Sequence, residues 1–212
     1  MSIVKTEQIL CTNCQKSSNY HIWSSININE DIHLFNDIMD QKLFQWRCPY
    51  CEEYYHIYYP CLYHDIQKKF MVYFLPHGYQ EVQKELNEFK VSTVFQLYTM
   101  RLCNDIFAFR EKIKVLTSNI NDKGIEIMKL VLLQKFINED KDSVMNIYYH
   151  DEYQDQYIFI LTGKDNSTET ISVVKDAYKD ILSGVTYIDF NITEGEFLNI
   201  DINWAVKQLN KS

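Results

Sequence analysis

Proline and glycine are scarce in this sequence, which holds three prolines and five glycines among 212 residues. Because these residues favour turns and loops, their scarcity leaves little room for flexible linkers. No glycine-rich segment could cradle a phosphate, and no serine lies in a nucleophile-elbow pattern. Internal repeats at solenoid periods are also absent. These absences argue against a nucleotide-binding loop, an α/β-hydrolase nucleophile and a repeat architecture.

Long apolar segments are missing as well. Residues 1–7 show no basic region followed by an apolar stretch, so the sequence predicts no secretion signal. No segment reaches the length that crosses a bilayer. We therefore expect a cytoplasmic protein without membrane association, in which free cysteines stay reduced.

Apolar and acidic residues are abundant instead. The hydrophobic content of 46% and the aromatic content of 15% suffice for a packed core. The formal net charge is −8 and is unevenly spread: residues 61–136 carry 11 basic and 8 acidic side chains, whereas residues 137–212 carry 6 and 14. Because the chain as a whole is acidic, nucleic acid is not its expected partner, although the middle third is locally basic.

Two pairs of cysteines with C-x2-C spacing organise the sequence: Cys11 with Cys14, and Cys48 with Cys51. Two intervening residues let the backbone turn tightly and direct both sulfurs at one ion. Strand-like segments flank both pairs, as a zinc ribbon requires, so the 33 residues between the pairs can form an insertion that starts and ends at a sheet edge. The spacing predicts one structural Zn²⁺ held by all four cysteines.

The second pair, with its Cys-Pro-Tyr-Cys sequence, also matches the active-site motif of glutaredoxins. In that fold the first cysteine opens a helix, whose N-terminus lowers the thiol pKa. Here residues 52–60 are rich in aromatic side chains and end at Pro60, which favours a strand. Redox chemistry is therefore the weaker alternative. Cys61 and Cys103 have no partner at ligand spacing and are interpreted as small buried hydrophobes.

The hydrophobic pattern predicts an α+β fold. We expect a zinc-ribbon-like N-terminal domain with helical elaboration over residues 1–137, and a smaller acidic α+β unit over residues 144–212. The fully polar segment 138–143 separates them.

Helix starts are predicted from residues that cap helices, at Asn29, at Asp122, and at Asp201 or Asn203. The C-terminal third alternates apolar and polar residues in a way that is typical of strands. The strands predicted there cover residues 144–150, 156–162, 168–174 and 185–192.

Eight short segments between about residues 8 and 135 match one family in combination. They are Cys11-Thr-Asn-Cys14, Trp23-Ser-Ser-Ile-Asn27, Cys48-Pro-Tyr-Cys51, Tyr59-Pro60, Leu62-Tyr-His-Asp65, Lys69-Phe-Met71, Glu111-Lys-Ile113 and Ile125-Glu-Ile-Met-Lys129. Through them the chain resembles the CpXC-domain proteins. The resemblance implies a zinc-ribbon-like module with the four paired cysteines as ligands, and the family has no assigned activity. Where a glycine is expected after each pair, to allow a positive φ, this chain has Gln15 and Glu52.

Two other groups invite a chemical interpretation. His64 and Asp65 could form a catalytic pair, but adjacent residues of a strand point to opposite faces, so we predict a structural histidine. Asp151, Glu152 and Asp155 could bind a hard cation, although a solvated hairpin loop is the preferred interpretation.

A run of tyrosines could stack on bases, as in proteins that bind single strands. These tyrosines are Tyr54, Tyr55, Tyr58, Tyr59 and Tyr63. Alternation along a strand should bury about half of them. The basic residues dense enough to help are Lys68, Lys69, Arg110, Lys112 and Lys114. On a helix only positions 110 and 114 of the last three share a face, which indicates a solvated surface.

The leading hypothesis is a non-catalytic cytoplasmic scaffold or protein-interaction protein stabilised by structural zinc. A closed site of four cysteines leaves no open coordination position, so catalysis is not expected. The expected partner is another protein. The alternatives are a nucleic-acid-associated zinc-ribbon protein that uses the basic middle region and, more weakly, a thiol oxidoreductase.

Overall fold

A computed structural model describes residues 1–79, 82, 86, 93–138, 144–165 and 167–210. The predicted α+β fold class is confirmed. The elements follow one another as β1 (Ile3–Leu10), β2 (Ser17–Asn27), α1 (Leu34–Met39), β3 (Gln45–Arg47), β4 (Tyr54–His56), β5 (Cys61–Asp65), β6 (Phe70–Phe74), β7 (Thr99–Cys103), α2 (Ile106–Thr117), α3 (Asp122–Asn138), β8 (Val144–Tyr153), β9 (Gln156–Gly163), β10 (Thr168–Val174), α4 (Lys175–Gly184), β11 (Phe197–Leu198) and α5 (Ile202–Leu209).

The chain packs as two compact units. The first unit comprises Met1–Arg110 and Gly195–Phe197, and the second comprises Glu111–Glu194 and Leu198–Ser212. The predicted domains divide the chain instead at residues 138–143, of which 139–143 lie outside the described residues. That domain division stays a prediction.

The first unit is built on a sheet with the strand order β1-β2-β5-β6-β7-β11. β2 pairs with β5, and β6 with β7, in parallel, whereas β1–β2 and β5–β6 are antiparallel. β2 contacts β5 only over residues 25–27, so most of the β1–β2 hairpin is a two-stranded ribbon. β3 and β4 form a second antiparallel ribbon. Each ribbon carries one cysteine pair at its turn.

Aromatic side chains fill the core of this unit. The strand β6 is the continuous apolar segment Phe-Met-Val-Tyr-Phe, and four of its five residues are buried. Phe44, which ends a short 3-10 helix, lies 5.4 Å from Phe74 and 5.1 Å from Tyr59 between ring centroids. Phe74 in turn stacks on Phe109 at 5.3 Å. This cluster fixes the ends of β3 and β4 and so positions the second cysteine pair.

The second unit combines helices with a three-stranded antiparallel sheet of order β10-β9-β8. Alternate residues of β9 are buried, as the period of two predicted. Tyr178 of α4 packs against Gly124 of α3, where any side chain would collide with the tyrosine ring. The predicted strands at 144–150, 156–162 and 168–174 are confirmed.

One predicted helix start is wrong, and one predicted cap is shifted by a single residue. α1 begins at Leu34, and the Asn29 side chain instead accepts a hydrogen bond from the Ile66 backbone N–H at 2.8 Å. α3 begins at Asp122, as predicted, but its cap is Asn121, whose side-chain oxygen accepts from the Gly124 N–H at 3.2 Å. The predicted cap at Asp201 is confirmed, because its carboxylate accepts from the Trp204 N–H at 2.8 Å.

The strand predicted over residues 185–192 is not formed. The backbone carbonyls of this segment are engaged by the start of α3. Asn121 donates to the Phe190 carbonyl at 2.7 Å, and Lys123 donates to the Asn191 carbonyl at 2.6 Å. These side-chain bonds replace the ladder that a strand would need. None of the helices in the described ranges is both long and apolar enough to cross a membrane.

Candidate metal centre

Each cysteine pair forms a knuckle of the same hydrogen-bonded geometry. In the first knuckle the Gln15 N–H donates to the Cys11 carbonyl at 2.9 Å, and the Cys11 N–H donates to the Lys16 carbonyl at 3.0 Å. In the second, the Glu52 N–H donates to the Cys48 carbonyl at 2.9 Å, and the Cys48 N–H donates to the Glu53 carbonyl at 2.9 Å. Both turns therefore present their two sulfurs on one side of the backbone.

The two knuckles bring four sulfurs together. Their Sγ atoms all lie within 4.8 Å of one another. Cys11 Sγ is 3.6 Å from Cys51 Sγ, and Cys14 Sγ is 3.6 Å from Cys48 Sγ. Tetrahedral coordination at a zinc–sulfur distance of about 2.3 Å requires sulfurs about 3.8 Å apart. All six cysteines are free thiols, so the short separations are not disulfides. The four cysteines could hold one metal ion.

Burial divides each pair in the same way. The first cysteine of each knuckle, Cys11 or Cys48, is fully buried, while the second is partly accessible. Tyr55 of β4 closes one side, with its hydroxyl 3.6 Å from Cys11 Sγ and 3.1 Å from the Thr12 hydroxyl, which donates to it. The centre is thus enclosed by four sulfurs and a tyrosine.

The residues after the knuckles adopt the left-handed conformation. φ is 58° at Gln15 and 62° at Glu52, at the two places where a glycine was expected. The side chains of both residues make contacts that a glycine could not make. The Gln15 amide donates to the Thr12 carbonyl at 2.8 Å, and Glu52 forms an ion pair with Arg47 at 2.8 Å.

Within the cluster, the environment lowers the pKa of Cys11 and raises the pKa of Cys14, so Cys11 is the more readily deprotonated of the two. Burial raises the pKa of Cys11, but hydrogen bonds from the backbone of Cys14 and Asn13 and from Tyr55 outweigh it and lower the pKa to about 6. At Cys14 a backbone hydrogen bond from Lys16 lowers the pKa, whereas burial and the other three sulfurs raise it, to about 12. Four thiolates this close repel one another unless a cation lies between them.

A family model described as CpXC protein matches residues 9–129, which is more than half of the chain. The chain belongs to the CpXC protein family. No curated protein matches it, and no solved structure matches it. The CpXC segment contains both knuckles, the strands β2 to β7, the helices α1 and α2 and part of α3, but only the end of β1. The four clustered cysteines agree with the two C-x2-C motifs of the family resemblance.

The segment after Cys51 forms a strand and not the helix that a glutaredoxin-type site needs. Residues 54–56 form β4, paired with β3 over three residue pairs. Cys61 and Cys103 are buried, as predicted, and burial raises the pKa of Cys61. They lie outside the four-sulfur cluster.

His64 and Asp65 do not interact as a catalytic pair. They are adjacent on β5. His64 Nε2 lies 3.4 Å from the Tyr98 hydroxyl, whereas the Asp65 carboxylate accepts from the Lys68 backbone N–H at 2.9 Å. Burial lowers the pKa of His64, against the opposing charge of Asp65. Both side chains have structural roles.

The tyrosine run divides between core and surface. Tyr59 and Tyr63 are buried, whereas Tyr54 and Tyr58 are exposed. Tyr55 is partly buried, so about half of the run is buried, as predicted.

One of the basic residues that we expected on the surface, Lys112, lies in the interior. Lys112 is buried and forms ion pairs with Asp122 at 3.1 Å and with Glu126 at 2.8 Å. Lys114 donates to the His150 carbonyl at 2.8 Å. Lys112 is therefore not available for phosphates.

The partners of Lys112 belong to a buried ion cluster that the sequence pattern did not predict. It consists of three carboxylates and two ammonium groups in the second unit, from Glu111, Lys112, Asp122, Glu126 and Lys129. Lys129 lies 2.8 Å from Glu111 and 3.0 Å from Glu126. The second Glu111 oxygen accepts from the Tyr149 backbone N–H at 2.5 Å, which connects the cluster to β8.

A signal for this cluster exists in the sequence. Positions 122, 126 and 129 fall on one face of a helix whose residues 125, 127, 128 and 130–133 are all apolar. Charged residues on such a face must be paired in the interior.

The acidic residues around the turn between β8 and β9, Asp151, Glu152 and Asp155, do not come together as a group that could share an ion. Glu152 forms an ion pair with Lys175 at 2.8 Å, and the Asp151 carboxylate accepts from the Glu152 backbone N–H at 2.8 Å. Across the described ranges, the four cysteines are the one group of three or more Cys, His, Asp or Glu side chains close enough to share an ion.

Proposed function

We propose that this CpXC protein is a non-catalytic cytoplasmic scaffold or protein-interaction protein whose N-terminal unit is stabilised by one structural Zn²⁺. The observation that carries the proposal is the enclosure of four cysteine sulfurs within 4.8 Å by two equivalent knuckles. Cys11, Cys14, Cys48 and Cys51 would be the ligands.

The donor set supports a thiolate-binding metal such as zinc. Four thiolates at tetrahedral spacing suit zinc or iron, whereas calcium and magnesium require oxygen ligands. The two ribbons also need a staple, because isolated two-stranded hairpins are marginally stable in water. A metal ion that joins their turns would supply this stability through its binding free energy.

The same enclosure argues for a structural role. A catalytic zinc site uses three protein ligands and keeps a fourth position for water or substrate. Here four sulfurs would complete the coordination. In a reducing compartment such as the cytoplasm, the four thiols would stay available as metal ligands.

Exposed aromatic residues beside the second knuckle support a protein partner. Tyr50 and Tyr54 are 56% and 63% exposed. Lys16 lies over the Tyr50 ring at 4.9 Å, and Arg47 lies over the Tyr54 ring at 5.2 Å. Tyrosine and arginine are enriched at protein–protein interfaces.

Cobalt titration tests the site. Metal-free protein should bind one equivalent of Co²⁺ with the absorption of tetrahedral thiolate coordination, and zinc should displace it. The Cys14→Ser variant should lose this spectrum, and the Cys103→Ser variant should keep it. An octahedral spectrum, or equal spectra for the two variants, would reject the proposed ligand set.

The alternatives have direct tests as well. Retention on heparin that falls with salt would favour nucleic-acid binding over a protein partner. Reduction of insulin by metal-free protein, lost in Cys48→Ser, would favour a thiol oxidoreductase. We expect neither activity, because Lys112 is buried and β4 follows Cys51.

A further inference from the structure

The strand β1 lies at the edge of the six-stranded sheet. Among the described residues it pairs with β2 and with no other strand. Its eight residues include no proline and no glycine. An edge of this length presents a row of backbone N–H and C=O groups that can pair with another strand.

The side chains of β1 are unusually accessible. Ile3, Val4 and Leu10 are 58%, 46% and 55% exposed. Over residues 17–24, β2 has β1 as its one partner strand among the described residues, so this part of the sheet is two strands wide. Because ribbons of two strands are marginal, an added strand would stabilise the hairpin that carries the first knuckle.

The charges of β1 select one kind of added strand. Lys5 and Glu7 lie on the same face, with their charged groups 3.1 Å apart, and both side chains are about half exposed. A lone lysine on an edge strand opposes pairing, but an acidic residue two positions away can neutralise it in a suitable register.

A second copy of β1 provides that register. When two identical strands pair antiparallel, the two-fold axis lies midway between the two copies of one residue, because the outward backbone groups belong to alternate residues. An axis at a residue means here that this residue is opposite its own copy. With the axis at Thr6, each Lys5 is opposite Glu7 of the second copy, and each Ile3 is opposite Ile9. With the axis at Lys5 or at Glu7, like charges are opposite each other, which is unfavourable.

We propose that two copies of this protein associate through antiparallel pairing of their β1 strands about a two-fold axis at Thr6. The two sheets join into one, and the Lys5 and Glu7 side chains of both copies form a four-charge network. The interface is self-complementary, as a symmetric dimer requires. This inference goes beyond the proposed function and does not depend on which metal the knuckles hold.

Sedimentation equilibrium of the full-length protein as purified, over a concentration series, tests the dimer. Wild type should change from monomer to dimer mass as concentration rises. Lys5→Glu and Glu7→Lys should each raise the dissociation constant at least about tenfold, because each creates two like-charge contacts. The double variant Lys5→Glu with Glu7→Lys restores opposite charges and should dimerise like wild type.

A matched control reverses a charge elsewhere. Lys179, which pairs with Asp176 on an exposed face of α4, can be changed to Glu without effect on the dimer. Circular dichroism and metal content of every variant report separately whether the hairpin is folded and loaded. Wild type that stays monomeric at every concentration would overturn the proposal. Equal dissociation constants for wild type and the two single variants would also overturn it.

Discussion

Gln15 and Glu52 occupy equivalent places in the two knuckles. Each follows the second cysteine of its pair, each has a φ near 60°, and each donates its backbone N–H at 2.9 Å to the carbonyl of the first cysteine. Residues other than glycine, asparagine and aspartate rarely adopt this backbone conformation. The knuckle geometry therefore dominates over local preference at both positions.

The left-handed conformation predicts how substitutions at Glu52 behave. Glu52→Val should destabilise the first unit by about 1–2 kcal/mol, because a β-branched side chain is strained at positive φ. Glu52→Gly should cost less, although it also loses the exposed ion pair with Arg47. Chemical denaturation of the metal-loaded protein measures both. Glu53→Val is the control, and equal stability of Glu52→Val and Glu52→Gly would contradict the account.

The buried ion cluster predicts a large effect at Lys129. Lys129→Met should destabilise the protein by about 3–5 kcal/mol, because Glu111 and Glu126 would stay buried without that partner. Lys135→Met, on the exposed surface of the same helix, should cost less than about 1 kcal/mol. Urea denaturation compares the two variants, and similar losses would show that the cluster contributes no special stability.

His64 predicts a pH dependence. Burial lowers its pKa in the folded state, so the neutral form is favoured there and the unfolded state binds the proton more strongly. Its contribution to stability is present above the unfolded pKa and is lost as pH falls through the folded pKa. From pH 7 to pH 5, wild type should lose more stability than His64→Gln. Parallel curves from denaturation at each pH would contradict this.

Metal removal predicts a local loss of structure. A chelator under reducing conditions should increase amide hydrogen exchange in β1, β2, β3 and β4, because the two ribbons lose their common staple. The amides of α3, which lies in the second unit, should keep their protection. Addition of zinc should restore the first pattern. Unchanged exchange in the ribbons after complete metal removal would oppose a structural role.

The knuckles could be predicted from the sequence because their determinants are local. Two cysteines three residues apart define a tight turn, and aromatic, β-branched neighbours favour strands on either side. The need for a positive φ after each pair followed from the same local geometry. The chain meets it at Gln15 and Glu52 without glycine.

Features that depend on distant partners could not be predicted. Lys112 looks like a surface residue until Asp122 and Glu126 are placed beside it. Residues 185–192 have the composition of a strand, but Asn121 and Lys123 bind their carbonyls. In both cases a tertiary contact overrides the local pattern.

The metal content of the purified protein tests the central claim most directly. Inductively coupled plasma mass spectrometry should find one zinc per chain in wild type and in Cys61→Ser, and much less in Cys48→Ser, with loss of the folded N-terminal unit. Wild-type protein with far less than one zinc per chain, or a Cys48→Ser variant that folds as stably as wild type, would contradict the account.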